Sequence, residues 1–195
     1  MKICPACEKE WPDDTKFCPL DGTVLRADTE TGDLVGTLIA ERYHILEKLG
    51  EGGMGAVYLA EHVKMGLKVA VKVMSQDLSN DIDAIARFHR EAKNAASIKH
   101  QNVCGVLDFG ETPDGLIYLA MEYVEGEPLT SVLQREGALS PRRAASILAQ
   151  CCDALQTAHD LDIVHRDLKP DNIMISKTRD GDDFVKIVDF GIAKA

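Results

Sequence analysis

Asp167, Asn172 and Asp189 are the residues whose types and spacing promise chemistry. Asn172 stands immediately before a short apolar run, Ile173-Met174-Ile175, and Asp189 immediately after another, Val185-Lys186-Ile187-Val188. The polar, glycine-containing stretch from Lys177 to Asp183 between them reads as the loop of a β-hairpin. An antiparallel hairpin returns the chain to its starting end, so Asn172 and Asp189 emerge side by side, with Asp167 just upstream on the approach loop. Two carboxylates and an amide oxygen then converge at one end of a small sheet. Hard oxygen donors of this kind suit Mg²⁺, which binds through one or two carboxylates together with substrate phosphates. The bland alternative is an acidic hairpin on a solvated surface.

A second group lies upstream. Tyr43 to Leu49 and Ala56 to Ala60 read as strands joined by Gly50-Glu51-Gly52-Gly53-Met54-Gly55. A glycine loop between two strands brings backbone N–H groups onto phosphates, because no Cβ blocks the approach. A Rossmann fingerprint would need a helix after the glycines, and a strand follows instead. Val69 to Met74 is a further strand, whose period of two puts Ala70 and Lys72 on one face. A lysine in an apolar strand needs an anionic partner, or else snorkels from an edge. Residues 82–98 carry Ile82, Ile85, Phe88, Ala92, Ala95 and Ile98 at helical spacing, with Glu91 the acidic residue in mid-helix. Glu91 is either a partner for Lys72 or half of a surface pair with Arg87 at i, i+4.

The order of these signals resembles the protein kinase family. The run His165-Arg166-Asp167-Leu168-Lys169-Pro170-Asp171-Asn172 looks like its catalytic loop, and Asp189-Phe190-Gly191 like its metal-binding turn. The resemblance covers residues 43–195 and implies an α+β, protein-kinase-like bilobal fold. That fold has an antiparallel-sheet N-lobe with one main helix, followed by a partial helical C-lobe. It implies ATP and Mg²⁺ as cofactors, Asp167, Lys169, Lys72 and Glu91 as catalytic residues, and Asn172 and Asp189 as Mg²⁺ ligands. It places the nucleotide against Leu49, Gly50, Gly52, Gly53, Gly55, Val57, Ala70, Lys72 and Met174. Met121 would control the rear pocket, and Glu122-Tyr123-Val124 would form the hinge whose backbone meets the adenine. Lys169, two residues after Asp167, is typical of the serine/threonine class, and the glycine loop looks bacterial. The implied activity is transfer of the γ-phosphate of Mg-ATP to protein serine and threonine hydroxyls. Only four residues follow Gly191, so the resemblance also implies an N-terminal fragment of a longer kinase. The alternative is a non-catalytic ATP-binding module.

Between these motifs, residues 104–109 and 116–124 read as strands flanking a Pro113-Asp114-Gly115 turn. Leu129 to Arg135 reads as a short helix. Ser140 and Pro141 mark the start of a longer one as N-cap and first helical residue. Its expected buried stripe is Ala144, Ile147, Leu148, Cys151, Leu155 and Ala158. Cys104, Cys151 and Cys152 are expected to pack as small core hydrophobes, and His159 to cap or pack.

The first 25 residues differ in kind. Cys4-Pro5-Ala6-Cys7 has metal-knuckle spacing, and Cys18-Pro19-Leu20-Asp21 repeats it with aspartate in the last place. The layout resembles a small zinc ribbon, with Cys4, Cys7, Cys18 and Asp21 as the Zn²⁺ ligands. A segment this short buries too little apolar surface to fold without a staple; the alternative is a degenerate knuckle without metal. Residues 26–41 read as a linker into the domain that starts at Tyr43.

Charge and composition narrow the partners. The net charge is −10, and residues 1–41 hold four Lys/Arg against nine Asp/Glu. That balance argues against nucleic acid and for a protein contact through the N-terminal module or an intramolecular role for it. There is no apolar run of membrane-spanning length and no secretory h-region, so the expectation is a cytoplasmic chain.

Overall fold

The computed structural model describes residues 2–4, 7, 9–12, 15, 17–23, 26–27, 34–52, 55–75 and 82–190. Three two-residue strands, β1 (Lys2–Ile3), β2 (Glu10–Trp11) and β3 (Arg26–Ala27), form an antiparallel sheet in the order β2-β1-β3. Cys4 and Cys18 are buried beside it, with Cys7 and Trp11 packed against them. Arg26–Ala27, expected as the start of a linker, thus pairs with β1.

The next strands are β4 (Leu38–Ile39), β5 (Tyr43–Gly52), β6 (Gly55–His62) and β7 (Leu67–Met74). With β8 (Val106–Glu111) and β9 (Ile117–Glu122) they form a six-stranded sheet in the order β4-β5-β6-β7-β9-β8. Every pairing in it is antiparallel. Leu38–Ile39, expected within the linker, is its edge strand. The alternation expected for β7 holds on both faces. Val69, Val71 and Val73 join Tyr43, Ile45 and Tyr118 in one cluster, while Ala70 and Met74 face Phe88, Ala92, Leu119 and Met121 in another. A strand buried on both sides has no solvated edge for a lysine to snorkel from, and Lys72 is only 8% exposed.

Helix α1 (Ile82–Ser97) packs on this second face. Its stripe of Phe88, Ala92 and Ala95, continued by Ile98 just past its end, is buried as its 3.6-residue spacing requires. The side chain of Ile82 lies outside the described residues.

A short strand β10 (Glu127–Pro128) leads into α2 (Leu129–Glu136) and then α3 (Pro141–His159). The Ser140 side chain accepts a hydrogen bond from the Arg143 backbone N–H, so the expected N-cap is in place. The buried stripe of α3 is Ile147, Cys151, Ala154 and Ala158. Two expectations fail here. Leu148 is 60% exposed and Cys152 is exposed, because one residue past Ile147 and Cys151 turns each side chain about 100° off the buried face. His159 is likewise exposed.

Strands β11 (Ile173–Lys177) and β12 (Asp183–Ile187) form the predicted hairpin, in register from Ile173↔Ile187 to Lys177↔Asp183. Both strands run further toward the loop than their apolar cores, so the loop is residues 178–182. Cross-bracing holds the hairpin. Arg143 binds Asp183 through Nε at 2.5 Å and Nη2 at 3.2 Å. Gln150 accepts from the Val185 N–H at 3.0 Å and donates to the Asp183 carbonyl at 2.9 Å. The outer edge of β12 is closed by residues 102–104: Ile187 N–H donates to the Asn102 carbonyl, and Cys104 N–H to the Ile187 carbonyl. The loop after α1 is thereby fixed to the strand that leads to Asp189.

Candidate functional site

The approach loop and the hairpin bring three of the predicted polar residues together. Asn172 ends a 3₁₀ turn (Pro170–Asn172) directly before β11. Its amide donates to the Asp167 carbonyl at 2.8 Å and to Asp167 Oδ2 at 3.3 Å. The amide Oδ1 is thus the end left for a cation. Lys169 Nζ sits 2.9 Å from the same Asp167 oxygen. Val188 N–H donates to the Asn172 carbonyl at 3.0 Å, which sets the start of β11 beside the residue that precedes Asp189.

Asp189 itself has φ +59°, in the left-handed region that a non-glycine residue adopts only when its surroundings hold it there. His165 does so from both sides of Asp189. Buried His165 accepts the Asp167 N–H at Nδ1, at 3.3 Å, which leaves its proton on Nε2 to donate to the Val188 carbonyl at 3.0 Å. Its ring also packs on Phe190, with centroids 4.7 Å apart. His165 therefore links the catalytic-loop run to the Asp-Phe-Gly run; its identity in the motif was legible, its bridging role was not. Gly191 lies outside the described residues.

Lys72 reaches this centre from β7. Its Nζ is 3.0 Å from Asp189 Oδ1. The Lys72–Glu91 ion pair implied by the resemblance is not formed. Glu91 is half-buried on α1, and burial pushes its carboxyl pKa up; the positive charges that oppose this are Arg166 first, then Arg90, Arg87 and Lys72. Arg166 also has positive φ, +64°.

A cleft of about 390 Å³ opens beside the polar cluster. Of the residues expected to meet the nucleotide, Leu49, Gly50, Val57, Ala70, Met121, Glu122, Val124 and Met174 line it, together with the expected metal ligands Asn172 and Asp189. Tyr123 of the expected hinge lines it as well, and so do Cys104, Gly126, Pro128, Asp171 and Val188, which the sequence did not place at the nucleotide. Cys104 was read only as a core hydrophobe. It is buried, burial pushes its thiol up to about 12, and Sγ–H donates to the Glu122 carbonyl at 3.3 Å.

The glycines divide by cause. A Cβ on Gly50 or Gly52 would meet nothing within 4 Å, so both face open space. Gly55 is different: it has φ +135°, and a Cβ there would lie 1.9 Å from the Val73 carbonyl oxygen. Gly55 is required by the close approach of β6 to β7. Gly53 lies outside the described residues.

The chain belongs to the protein kinase family. The protein kinase domain model matches residues 43–195. The Myxococcus xanthus serine/threonine-protein kinase pkn3 is 45% identical over 165 residues, covering 85% of this chain and 30% of the relative. The Mycolicibacterium smegmatis serine/threonine-protein kinase PknB is 46% identical over 160 residues, covering 80% and 25%. The Myxococcus xanthus serine/threonine-protein kinase Pkn1 is 40% identical over 206 aligned residues, covering 98% and 29%. Among solved structures, a double mutant of the Mycobacterium tuberculosis PknI kinase domain superposes with a TM-score of 0.69 at 31% identity, covering 82% of this chain and 64% of that one. The chain thus spans less than a third of the length of these curated relatives. The kinase fold here is the curled antiparallel N-lobe sheet with α1, joined to the first helices and the hairpin of the C-lobe.

Outside the kinase match, Cys4, Cys7, Cys18 and Asp21 meet as expected, with their ligand atoms all within 4.8 Å of one another. Cys7 Sγ and Cys18 Sγ are 3.7 Å apart. Cys4 Sγ lies 3.5 and 3.3 Å from the two oxygens of Asp21. Two thiolates on one tetrahedral Zn²⁺ stand about 3.8 Å apart, and a thiolate and a carboxylate oxygen about 3.6 Å apart, from bond lengths of about 2.3 and 2.1 Å. The donor set therefore fits the ion in size and type. No disulfide joins any of the six cysteines.

Proposed function

We propose that the chain carries the nucleotide-binding and metal-binding part of a serine/threonine protein kinase, which transfers the γ-phosphoryl group of ATP to protein hydroxyls. The observation that carries this reading is that Asn172, joined to Asp167 and through it to Lys169, and Asp189, joined to Lys72, line one largely apolar cleft. The apolar walls, Leu49, Val57, Ala70 and Met174 among them, fit a planar base. Asn172 and Asp189 offer the oxygen donors that suit Mg²⁺, which supplies neutralisation of phosphate charge.

In this reading Asp167 orients the substrate hydroxyl and takes its proton as the oxygen bonds to the γ-phosphorus and the bridging bond to ADP breaks. Lys169 faces the transferred group, Lys72 steadies the inner phosphates, and Gly50 and Gly52 leave room for backbone N–H groups above them. Glu91 supports Lys72 once α1 brings it within reach. Assembly of Asp167 with Lys169 favours catalysis over nucleotide binding alone, since a binding module has no use for a base at the hydroxyl position. The test is Mg²⁺-dependent transfer of γ-labelled phosphate from ATP to a serine/threonine protein substrate by the full-length protein. Transfer abolished by Asp189→Asn supports the reading, and transfer unaffected by it contradicts it.

For the N-terminal segment the reading is a ribbon-like module holding one Zn²⁺ on Cys4, Cys7, Cys18 and Asp21, with its acidic surface turned to a protein partner. The pairing of β3 with β1 supports a module that runs to Ala27, and the pairing of β4 with β5 supports a linker confined between those two strands. Thiolate ligands and ATP both suit the cytoplasm. No helix among the described residues is long and apolar enough to cross a membrane. Loss of the zinc equivalent in Cys4→Ser supports this site, and an unchanged zinc content contradicts it.

A further inference from the structure

Lys186 is the polar member of the face of the β11–β12 hairpin that floors the cleft. It stands directly across from Met174 in the strand register, and Val188 follows two residues later on the same face. Met174 and Val188 both line the cleft. Val185 and Ile187, on the opposite face, are fully buried. An ammonium in that position needs a partner, and the Lys186 side chain is 16% exposed. The partner is Glu122, whose Oε2 lies 2.7 Å from Lys186 Nζ.

Glu122 is the last residue of β9, where the chain leaves the six-stranded sheet for the second lobe. It is held by more than the ion pair. Its N–H donates to the Gly105 carbonyl at 2.8 Å, its Oε2 accepts the Gly105 N–H at 3.4 Å, and its carbonyl accepts the Cys104 thiol. Cys104 in turn donates its N–H to the Ile187 carbonyl at 2.9 Å. The backbone edge that would read a base and the strand that delivers Asp189 are therefore joined by one closed circuit, Glu122–Lys186–Ile187–Cys104–Glu122. The ion pair is its one side-chain-to-side-chain link between the lobes.

We propose that Lys186 is a positioning residue for the purine base: its ion pair with Glu122 fixes the base-reading carbonyl of Glu122 relative to the floor of the cleft. The proposal rests on the nucleotide reading given above. It assigns Lys186 no contact with phosphate, although a cation near a nucleotide site would ordinarily be read that way. Glu122 is 40% exposed, so the coupling is of moderate size rather than that of a fully buried pair.

The experiment is calorimetric titration of the full-length protein with ADP and with adenosine, plus steady-state kinetics in ATP. The proteins are wild type, Lys186→Met, Lys186→Arg and the exchanged pair Glu122→Lys with Lys186→Glu. Lys186→Met is expected to weaken adenosine and ADP alike, by about tenfold. It raises KM for ATP with kcat at saturating ATP little changed, while Lys186→Arg and the exchanged pair recover most of the loss. Weaker ADP binding with adenosine unaffected would show Lys186 acting as a charge toward phosphate and would overturn the proposal. So would a parallel loss of melting temperature and all ligand affinities that the exchanged pair does not repair. If wild type binds neither ligand, the nucleotide reading itself fails; if wild type binds and Lys186→Met matches it, only the positioning role fails.

Discussion

The Lys72 ammonium lies 3.0 Å from Asp189 Oδ1, joining residues 117 apart in sequence. The contact ties β7 of the N-lobe to the turn after β12 in the C-lobe. Glu91, the partner implied for Lys72, sits instead on a half-buried helix face where Arg166 is the foremost favourable charge.

Replacing Lys72 with methionine removes the cation and keeps a side chain of similar length. The expected result in the full-length protein is a fall in phosphotransfer of about 10²–10³-fold, the scale for losing one preorganised electrostatic contact. The far-UV spectrum should stay native, because Met fits the apolar wall around it. Transfer within threefold of wild type would remove Lys72 from the site.

Glu91 sets stability against activity. Its folded-state pKa is raised, burial being the largest cause. The native state therefore holds the proton more tightly than the unfolded chain. The associated stability is fully present below the unfolded carboxylate value of about 4.3 and is lost as pH rises through the folded value. Glu91→Gln abolishes that loss. At neutral pH the variant should melt higher than wild type, with the gap closing in acid, while phosphotransfer falls. A variant that melts lower at every pH contradicts the placement of Glu91.

Asp183 behaves in the opposite sense. Hydrogen bonds from Arg143, then from Lys177, hold its carboxyl below the usual range despite burial. Its stability contribution is present above the unfolded value of about 3.9 and lost as pH falls through the folded one. Asp183→Ala should cost about 2 kcal/mol at pH 7 and much less near pH 2, measured by denaturant titration. A pH-independent cost would mean that packing, not charge, dominates there.

The glycine loop separates two effects. Gly55→Ala forces a Cβ against the Val73 carbonyl at positive φ and should destabilise the fold by about 2–4 kcal/mol. Gly52→Ala meets nothing and should leave the melting temperature nearly unchanged while weakening ATP binding. Equal melting temperatures for the two variants would contradict the division.

Much of this was legible in the sequence because the signals were local. Strand-like runs broken by glycine loops pointed to β5, β6 and β7; two short apolar runs around a polar loop pointed to the β11–β12 hairpin; Ser140-Pro141 marked the start of α3; and the catalytic-loop and Asp-Phe-Gly runs marked the family. What stayed hidden depends on contacts between segments far apart. Nothing near Asn102, Gln150 or Arg143 announces that they brace β12. Cys104 reads as a core residue until β8 and β9 place it on the cleft wall. The Lys72–Glu91 pair was inferred from the family's arrangement, whereas the pairing in this structure depends on how far α1 stands from β7, a tertiary distance that no spacing rule encodes. Arg26–Ala27 and Leu38–Ile39 were missed because two-residue strands have no period to detect.

The measurement that tests the central claim most directly compares Asp167→Asn with wild type in the full-length protein, reading ATP affinity and phosphotransfer in parallel. If Asp167 takes the hydroxyl proton, transfer falls by about 10²–10⁴-fold and ATP affinity changes by less than about threefold. Transfer that survives the substitution, or ATP binding that is lost in proportion to it, would contradict the account.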